Sequence, residues 1–182
     1  MLKKAYLEIT DVCNLHCSFC RGTARGKGFI GVEEFRLAAQ KLRPHTEYLY
    51  LHLMGEPLLH PALPELLAVC AALRFKVVVT TNGVLLPRRG EALLACPALY
   101  KVSVSLHSFE GNGGREGPAL EAYLDGACGF AEQAAARGVI VSLRLWNGGG
   151  ADGLNPAVLR YLNARFLHPA PHRTGLTRAE RV

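Results

Sequence analysis

Short strand-like segments alternate with amphipathic helical segments along most of this 182-residue chain. The strand-like segments are residues 3–10, 47–53, 76–81, 100–106 and 139–145. Because each is followed by a helical segment, the order is that of five successive βα units. We therefore predict an α/β fold with a parallel sheet and helices outside it.

The helical segments repeat apolar residues every three or four positions, which is typical of helices that bury one face. The apolar sets of the first two are Val32, Phe35, Ala39 and Leu42, and Leu63, Leu66, Leu67, Cys70 and Leu73. The third runs near 87–95, and Gly138 is predicted to end the fourth. Asn155 is predicted to cap the fifth, with Pro156 in its first turn.

Polar and apolar residues alternate within the strand-like segments, whereas buried parallel strands are usually apolar on both faces. The predicted helix-facing sets include Leu49, Leu51 and Leu53 in the second strand and Val102, Val104 and Leu106 in the fourth. The opposite set of the fourth strand is Ser103, Ser105 and His107. Buried polar groups need hydrogen-bond partners. The polar sets therefore predict a concave interior that holds a polar ligand.

Motifs that could carry chemistry follow the strands at one end. They are three cysteines after the first strand, Gly55-Glu56-Pro57 after the second, Asn82-Gly83 after the third, His107-Ser108 after the fourth and Trp146-Asn147 after the fifth. In α/β barrels the carboxyl ends of the strands carry the active site. We expect these five loops to converge on one site.

Composition restricts the classes of protein that fit. Hydrophobic residues make up 49% and charged residues 20%, the net charge is +6, and the basic residues are scattered without interleaved aromatics. We therefore expect no nucleic-acid partner, and no apolar run is long enough for a membrane span. The N-terminus lacks a signal-peptide core, so we expect a cytoplasmic, reducing location. Cysteines there are more often free thiols or metal ligands than disulfides.

Three cysteines have the spacing C-x3-C-x2-C at Cys13, Cys17 and Cys20, with Phe19 just before the last. Three thiolates are one short of a closed zinc site, which would need a further ligand such as His16. An iron–sulfur cubane takes four thiolates when closed, so three would leave one iron open to another ligand. The remaining cysteines, Cys70, Cys96 and Cys128, have no metal-ligand spacing and are predicted to be structural.

The cysteine motif resembles the signature of the radical S-adenosylmethionine (radical SAM) superfamily, C-x3-C-x-aromatic-C. Met54-Gly55-Glu56-Pro57 is similar to the family's Gly-Gly-Glu-Pro motif, with Met54 in place of the first glycine. Thr81-Asn82-Gly83 is similar to a turn of the peptide-modifying branches. Ser105-Leu106-His107-Ser108 is similar to a fourth-strand Ser-x-Asp-Gly segment, with His107 in place of the acid.

The resemblance implies a partial (βα)6-type barrel that holds a 4Fe–4S cluster and S-adenosylmethionine. The cluster ligands would be Cys13, Cys17 and Cys20, and the cofactor contacts would be Phe19, Gly55, Glu56, Pro57, Asn82, Ser105 and Arg144. An electron from a donor such as flavodoxin or ferredoxin would cleave the cofactor to a 5′-deoxyadenosyl radical. That radical would abstract hydrogen from a substrate, and the likeness to the peptide-modifying branches favours a peptide.

The resemblance covers residues 3–166, and we expect 1–167 to form an incomplete barrel core. Family members usually have six βα units, and five are recognisable here. We expect a sequence truncated before a sixth strand, with 168–182 as an irregular tail or the start of that strand. Two alternatives are a non-catalytic cluster-binding remnant and a zinc-binding module.

Overall fold

The computed structural model describes residues 2–148 and 152–167. Within them, one sheet contains five parallel strands in chain order, each hydrogen-bonded to the next. The strands are β1 (Ala5–Tyr6), β2 (Tyr48–Tyr50), β3 (Lys76–Thr81), β4 (Leu99–Ser105) and β5 (Ile140–Arg144). The predicted tail at 168–182 lies outside the described residues.

Helices follow each of the five strands and confirm the βα alternation. They are α1 (Val32–Leu42), α2 (Leu63–Ala72), α3 (Leu86–Leu94), α4 (His107–Gly111), α5 (Pro118–Ala136) and α6 (Asn155–Phe166), with a 3-10 helix at Pro57–Leu59. The sequence did not predict α4 or the 3-10 helix, because five or three residues are too few to show a helical period. No helix among the described residues has the length and apolar character to cross a bilayer.

The hydrophobic core lies between the helices and one face of the sheet. Strand residues of this face are completely buried, as are the inward residues of α1 and α2. The strand set comprises Leu49, Val77, Val79, Val102 and Val104, together with Leu51 directly after β2, and the helix set includes Phe35, Ala39, Leu63 and Leu66. The predicted helix-facing sets are thus confirmed except at Leu53. Burial of apolar area on this scale is the main force that holds the layers together.

Two sequence predictions are wrong in detail. Leu53 was expected to pack on the helices but is 66% exposed, because β2 ends at Tyr50 and Leu53 lies in a bend beyond it. Asn155 is not the cap of α6: Leu154 holds that position, and Asn155 is the first helical residue. The Asn155 amide instead donates to Trp146 O at 2.7 Å.

The opposite face of the sheet is polar, as the alternation predicts. Thr80, Ser103 and Ser142 lie side by side across β3, β4 and β5, and Ser105 lies beside Arg144 one step further toward the carboxyl ends. β1 pairs only with β2 and β5 only with β4 among the described strands. The sheet is therefore open, which confirms a partial rather than a closed barrel.

Candidate metal centre and cofactor site

The cysteines lie in a long loop, residues 11–28, whose two ends meet beyond the carboxyl end of β1. Its two ends are joined by an isolated antiparallel bridge between Thr10 and Phe29. The Thr10 hydroxyl donates to Gly28 O at 2.7 Å, and Gly28 N donates to the Asp11 carboxylate at 2.8 Å. These bonds fix the base of the cysteine loop at the carboxyl end of β1.

The middle of the cysteine loop is attached to α4 at the carboxyl end of β4. Ser18 N donates to Gly111 O at 2.7 Å, and His16 N donates to the side chain of Asn112 at 3.0 Å. The ring of Phe19 lies directly against Gly111. The sequence did not reveal these contacts, because residues 16–19 and 111–112 are far apart in the chain. They position the cysteines between β1 and β4.

A third attachment joins the cysteine loop to β1 and to the loop after β2. The Glu8 carboxylate forms an ion pair with Arg25 and accepts a hydrogen bond from Met54 N at 2.8 Å. Glu8 lies just beyond the carboxyl end of β1. The loops after β1 and β2 are thus held together by one acidic side chain.

The three motif cysteines are free thiols: Cys13 and Cys17 are half-buried and Cys20 is exposed. Leu15 N donates to Cys13 Sγ at 3.5 Å, and the Cys17 thiol donates to Ser108 O at 3.6 Å. None of the three thiols is fully buried, and none is part of the apolar core. By contrast, the other cysteines are placed in or beside the core: Cys70 and Cys128 are completely buried and Cys96 packs against it.

The thiols are close enough to influence one another. Burial raises the pKa of the Cys17 thiol, and the neighbouring Cys13 and Cys20 raise it further, since each disfavours a second negative charge nearby. Among the described residues, no three His, Cys, Asp or Glu side chains gather tightly enough to bind a single ion. A cubane binds each thiolate through a different iron, so its cysteines need not meet at one point. The cysteine loop therefore fits a cluster better than a zinc ion shared with His16.

Gly55 allows the loop after β2 to lie against the cysteine loop. Its φ of +72° is in the left-handed region, and an added Cβ would lie 2.5 Å from Thr10 O and 2.8 Å from Asp11 Cα. Next to it, Glu56 N donates to Val12 O at 2.8 Å. Only glycine fits at this position, and its role is close backbone approach.

The Glu56 carboxylate is occupied by hydrogen bonds within the protein. It is 1% exposed, and its carboxylate accepts from Leu58 N at 3.1 Å, the Thr81 hydroxyl at 2.8 Å and Asn82 N at 2.8 Å. Burial raises its pKa, while the three donors oppose that rise. The carboxylate therefore joins the ends of β2 and β3, and the backbone of 55–57 is the part of this motif that remains for a ligand.

Asn82, at the end of β3, is in contact with several segments around the site. Its side-chain oxygen accepts from Val84 N at 3.0 Å, and its amide nitrogen lies 2.8 Å from Asn14 Oδ1 and 3.9 Å from Cys13 Sγ. Its backbone oxygen accepts from the Tyr123 hydroxyl at 2.7 Å. Tyr123, on α5, was not predicted, because within a helical pattern it is indistinguishable from a core residue.

Ser105 and Arg144 are cross-strand neighbours on the polar face. Ser105 is half-buried and Arg144 is exposed, and no carboxylate in the described part of the chain pairs with the guanidinium. Burial lowers the pKa of nearby His52 from 6.5 to about 4, and the charge of Arg144 contributes to the decrease. His52 bonds to Thr80 through both ring nitrogens and stays neutral near pH 7. Arg144 thus supplies positive charge to this surface, and Lys4 adds to it near His52.

Aromatic side chains border the site next to Arg144. Phe19 stacks on Trp146 with ring centres 5.8 Å apart and planes 10° apart, and His107 contacts both rings. The sequence placed Phe19 in the cysteine motif and Trp146 after β5 but gave no signal that they pair. The cluster of rings joins the cysteine loop to the end of β5.

Comparison with known proteins identifies the family. Residues 7–121, more than half of the chain, match the family model described as Radical SAM superfamily. The chain belongs to the radical SAM superfamily. This confirms the resemblance carried by the cysteine motif, and members of this superfamily use a 4Fe–4S cluster and S-adenosylmethionine.

Curated relatives of this radical SAM chain include GTP 3′,8-cyclases. GTP 3′,8-cyclase 2 of Mycobacterium bovis is 37% identical over 119 residues, which cover 57% of this chain and 31% of the relative. GTP 3′,8-cyclase of Chlorobaculum tepidum is 33% identical over 109 residues, with 57% and 32% covered. The matched region spans about a third of the length of these relatives.

Solved structures with a similar fold include other radical SAM proteins. Streptococcus suis SuiB bound to S-adenosylmethionine has a TM-score of 0.54 at 17% identity, covering 90% of this chain and 48% of SuiB. SuiB bound to its precursor peptide SuiA has a TM-score of 0.55 at 16% identity, covering 89% and 46%. Archaeal TYW1 has a TM-score of 0.53 at 14% identity, covering 90% and 61%. These similarities confirm the fold.

Proposed function

We propose that this chain binds a 4Fe–4S cluster through Cys13, Cys17 and Cys20 and binds S-adenosylmethionine beside it. When bound, the cluster and cofactor supply one-electron cleavage of the sulfonium to a 5′-deoxyadenosyl radical, which abstracts hydrogen from a substrate. The observation that carries the proposal is the attachment of the cysteine loop to β1, to the loop after β2 and to α4. Those attachments hold three accessible thiols at the carboxyl edge of the sheet, where α/β barrels place their chemistry.

The backbone of Gly55, Glu56 and Pro57 is proposed to bind the amino group of the cofactor. Backbone carbonyl groups can accept hydrogen bonds from an ammonium group, as the cofactor's methionine end requires. The Glu56 carboxylate already has three donors, so it serves to hold this backbone in place. Contact between the Gly55 loop and the start of the cysteine loop keeps this backbone near Cys13.

Ser105 and Arg144 are proposed to bind the carboxylate or ribose of the cofactor. The guanidinium is exposed, and no described carboxylate neutralises it, so an anionic ligand group would be its natural partner. The backbone of Phe19 is proposed to lie against the adenine. Its ring is held by Gly111 and Trp146, which fixes the position of that backbone. Asn82 is the last of the residues proposed to contact the cofactor.

The substrate does not follow from the radical chemistry. The curated relatives are GTP 3′,8-cyclases, and SuiB was solved with a precursor peptide, but the matched region spans only about a third of the former and about half of the latter. The likeness therefore supports shared cofactor chemistry. Substrate choice in barrels is made by loops that differ between members. A peptide substrate and a flavodoxin- or ferredoxin-type electron donor stay predictions, as does a core spanning 1–167.

Anaerobic reconstitution with iron and sulfide tests the proposal. We expect bound iron and sulfide, and 5′-deoxyadenosine after addition of dithionite and S-adenosylmethionine. Cys17→Ala should lose both, whereas the matched control Cys96→Ala, whose thiol contacts Leu67 O beside the core, should keep both. A cluster without product would favour the non-catalytic remnant, and one tightly bound zinc without iron would favour the zinc module.

A further inference from the structure

We infer that the side-chain amide of Asn82 is a hydrogen-bond donor to Cys13 Sγ that raises the reduction potential of the cluster. The inference rests on the proposed function, since it requires a cluster on the three motif cysteines. It assigns to Asn82 a positioning and tuning role that its place in a Thr-Asn-Gly turn does not suggest. The amide nitrogen lies 3.9 Å from the sulfur.

The orientation of the Asn82 amide is fixed by its partners. Its side-chain oxygen accepts from Val84 N at 3.0 Å, a bond that only the oxygen can make. The nitrogen must then face the cysteine loop, where one of its two hydrogens reaches Asn14 Oδ1 at 2.8 Å. The second hydrogen is left for Cys13 Sγ. Rotating the amide by 180° would set its NH2 group against the N–H of Val84 and would turn all donor hydrogens away from Cys13 Sγ.

The backbone of Asn82 is held as firmly as its side chain. The residue is 8% exposed, its N–H donates to the buried Glu56 carboxylate, and its carbonyl accepts from the Tyr123 and Ser108 hydroxyls. A donor held on every side is preorganised, so it does not have to reorient when the charge on the sulfur changes.

A donor to a cluster ligand acts on the potential through charge. Reduction adds one negative charge, which is spread over the cluster and its thiolates. A hydrogen bond to a thiolate sulfur stabilises the more negative state, and such bonds are among the features that set the potentials of iron–sulfur clusters. Removal of the Asn82 donor should therefore make the cluster harder to reduce.

The test compares two variants of the reconstituted chain by potentiometric titration monitored by EPR. Asn82→Ser keeps a short acceptor for Val84 N but has no amide hydrogens. Asn14→Ala removes the partner of Asn82 in the cysteine loop and leaves the amide free to face Cys13. If Asn82 only held the loop, both variants would behave alike.

At a fixed applied potential, we expect the ratio of reduced to oxidised cluster in Asn82→Ser to fall about tenfold, which is about 59 mV for one electron. Asn14→Ala should keep the wild-type ratio. An unchanged ratio in Asn82→Ser, or an equal decrease in Asn14→Ala, would overturn the inference. Iron and sulfide content are measured on the same samples. Absence of iron from the wild type would refute the proposed function itself, which distinguishes the two failures.

A measurement in the Asn14→Ala background covers the case in which Asn82→Ser does not assemble a cluster. That protein is produced with asparagine labelled with ¹⁵N only at the side-chain amide, and its reduced cluster is examined by pulsed EPR. With Asn112→Asp added, which keeps an acceptor for His16 N but removes the other side-chain amide nitrogen that lies at the cysteine loop, we expect a ¹⁵N coupling transmitted through the N–H···S contact of Asn82, since neither Asn14 nor Asn112 can then contribute one. Absence of any coupling would overturn the inference.

Discussion

The ring of Phe19 lies where a side chain on Gly111 would have to be. A Cβ added at Gly111 would come within 2.3 Å of Phe19 Cε1 and 3.3 Å of Cys17 Cβ. The neighbouring Ser18 N–H donates to Gly111 O at 2.7 Å, so the two segments are in direct backbone contact. The position of the motif cysteines is thus set partly by a glycine at the end of α4, about ninety residues away in the chain.

Gly111→Ala should displace the cysteine loop. The new methyl group would force Phe19 and Cys17 to move, at a cost of about 1–3 kcal/mol typical of overpacking. We expect lower stability in urea and less iron bound after reconstitution. Gly129→Ala is the matched control: its Cβ would meet only Arg165 Nη2 at 4.0 Å, and alanine favours the helix by about 0.5–1 kcal/mol. Equal iron content in both variants would show that the Phe19–Gly111 contact does not position the ligands.

Gly55→Ala should lower the free energy of unfolding by more than its left-handed φ alone would cost. The added Cβ would lie 2.5 Å from Thr10 O, which is backbone and cannot rotate away. Gly113 provides the control, because its φ of +85° is similar but its Cβ would meet nothing within 4 Å. We expect Gly113→Ala to cost about 1–2 kcal/mol and Gly55→Ala clearly more, measured by urea unfolding. Similar losses for the two would mean that the two loops can separate without cost.

Glu56→Ala should destabilise the fold as a whole. It would leave three buried donors without an acceptor, the N–H groups of Leu58 and Asn82 and the hydroxyl of Thr81. Each such loss costs about 1–3 kcal/mol, and partial solvation of the cavity leaves an expected total of about 3–5 kcal/mol. Glu65→Ala, in the exposed first turn of α2, should change the free energy of unfolding by less than about 0.5 kcal/mol. A loss below 1 kcal/mol in Glu56→Ala would contradict the bridging role.

His52 should make stability depend on pH below neutrality. Its pKa is about 4 in the folded chain, against 6.5 for an ordinary histidine. Between these values the unfolded chain binds more protons than the folded one, so acidification favours unfolding. The contribution is fully present above pH 6.5 and is lost as the pH falls toward 4. Because the side chain is not completely buried, we expect a loss of about 1–2 kcal/mol.

The measurement for this prediction is urea unfolding at several pH values between 7 and 4. His52→Gln cannot titrate, so its free energy of unfolding should fall less steeply over this range than that of the wild type. Any constant offset between the two proteins reports the lost bonds to Thr80 rather than the titration. Parallel curves would show that His52 does not take up its proton on unfolding in this range.

The fold could be predicted from the sequence because its signals are local. Apolar periodicity alone placed five of the six helices, and alternation within β4 identified which face packs on them. The strands β1 and β2 proved shorter than predicted, since the alternation of side chains continues into segments that do not extend the parallel ladder of the sheet. Leu53 and Asn155 show the same limit. The hydrophobic pattern identifies a strand or helix, but the residue at which it begins or ends depends on tertiary contacts.

The site was only partly predictable. The cysteine spacing identified the candidate ligands, since such spacing is rare by chance. The sequence could not show that Glu56 is used internally, or that Tyr123 on α5 supports Asn82, because both depend on side chains brought together by the fold. The Phe19–Gly111 contact could not be predicted either, since a glycine required for close packing looks in the sequence like any other glycine.

The central claim is that three thiolates leave one iron accessible to S-adenosylmethionine. The most direct measurement is the EPR spectrum of the reduced, reconstituted chain before and after the cofactor is added under anaerobic conditions. The account predicts a clear change in the g-values, because the cofactor would bind the open iron. An intact cluster whose spectrum stays the same at saturating cofactor would contradict it.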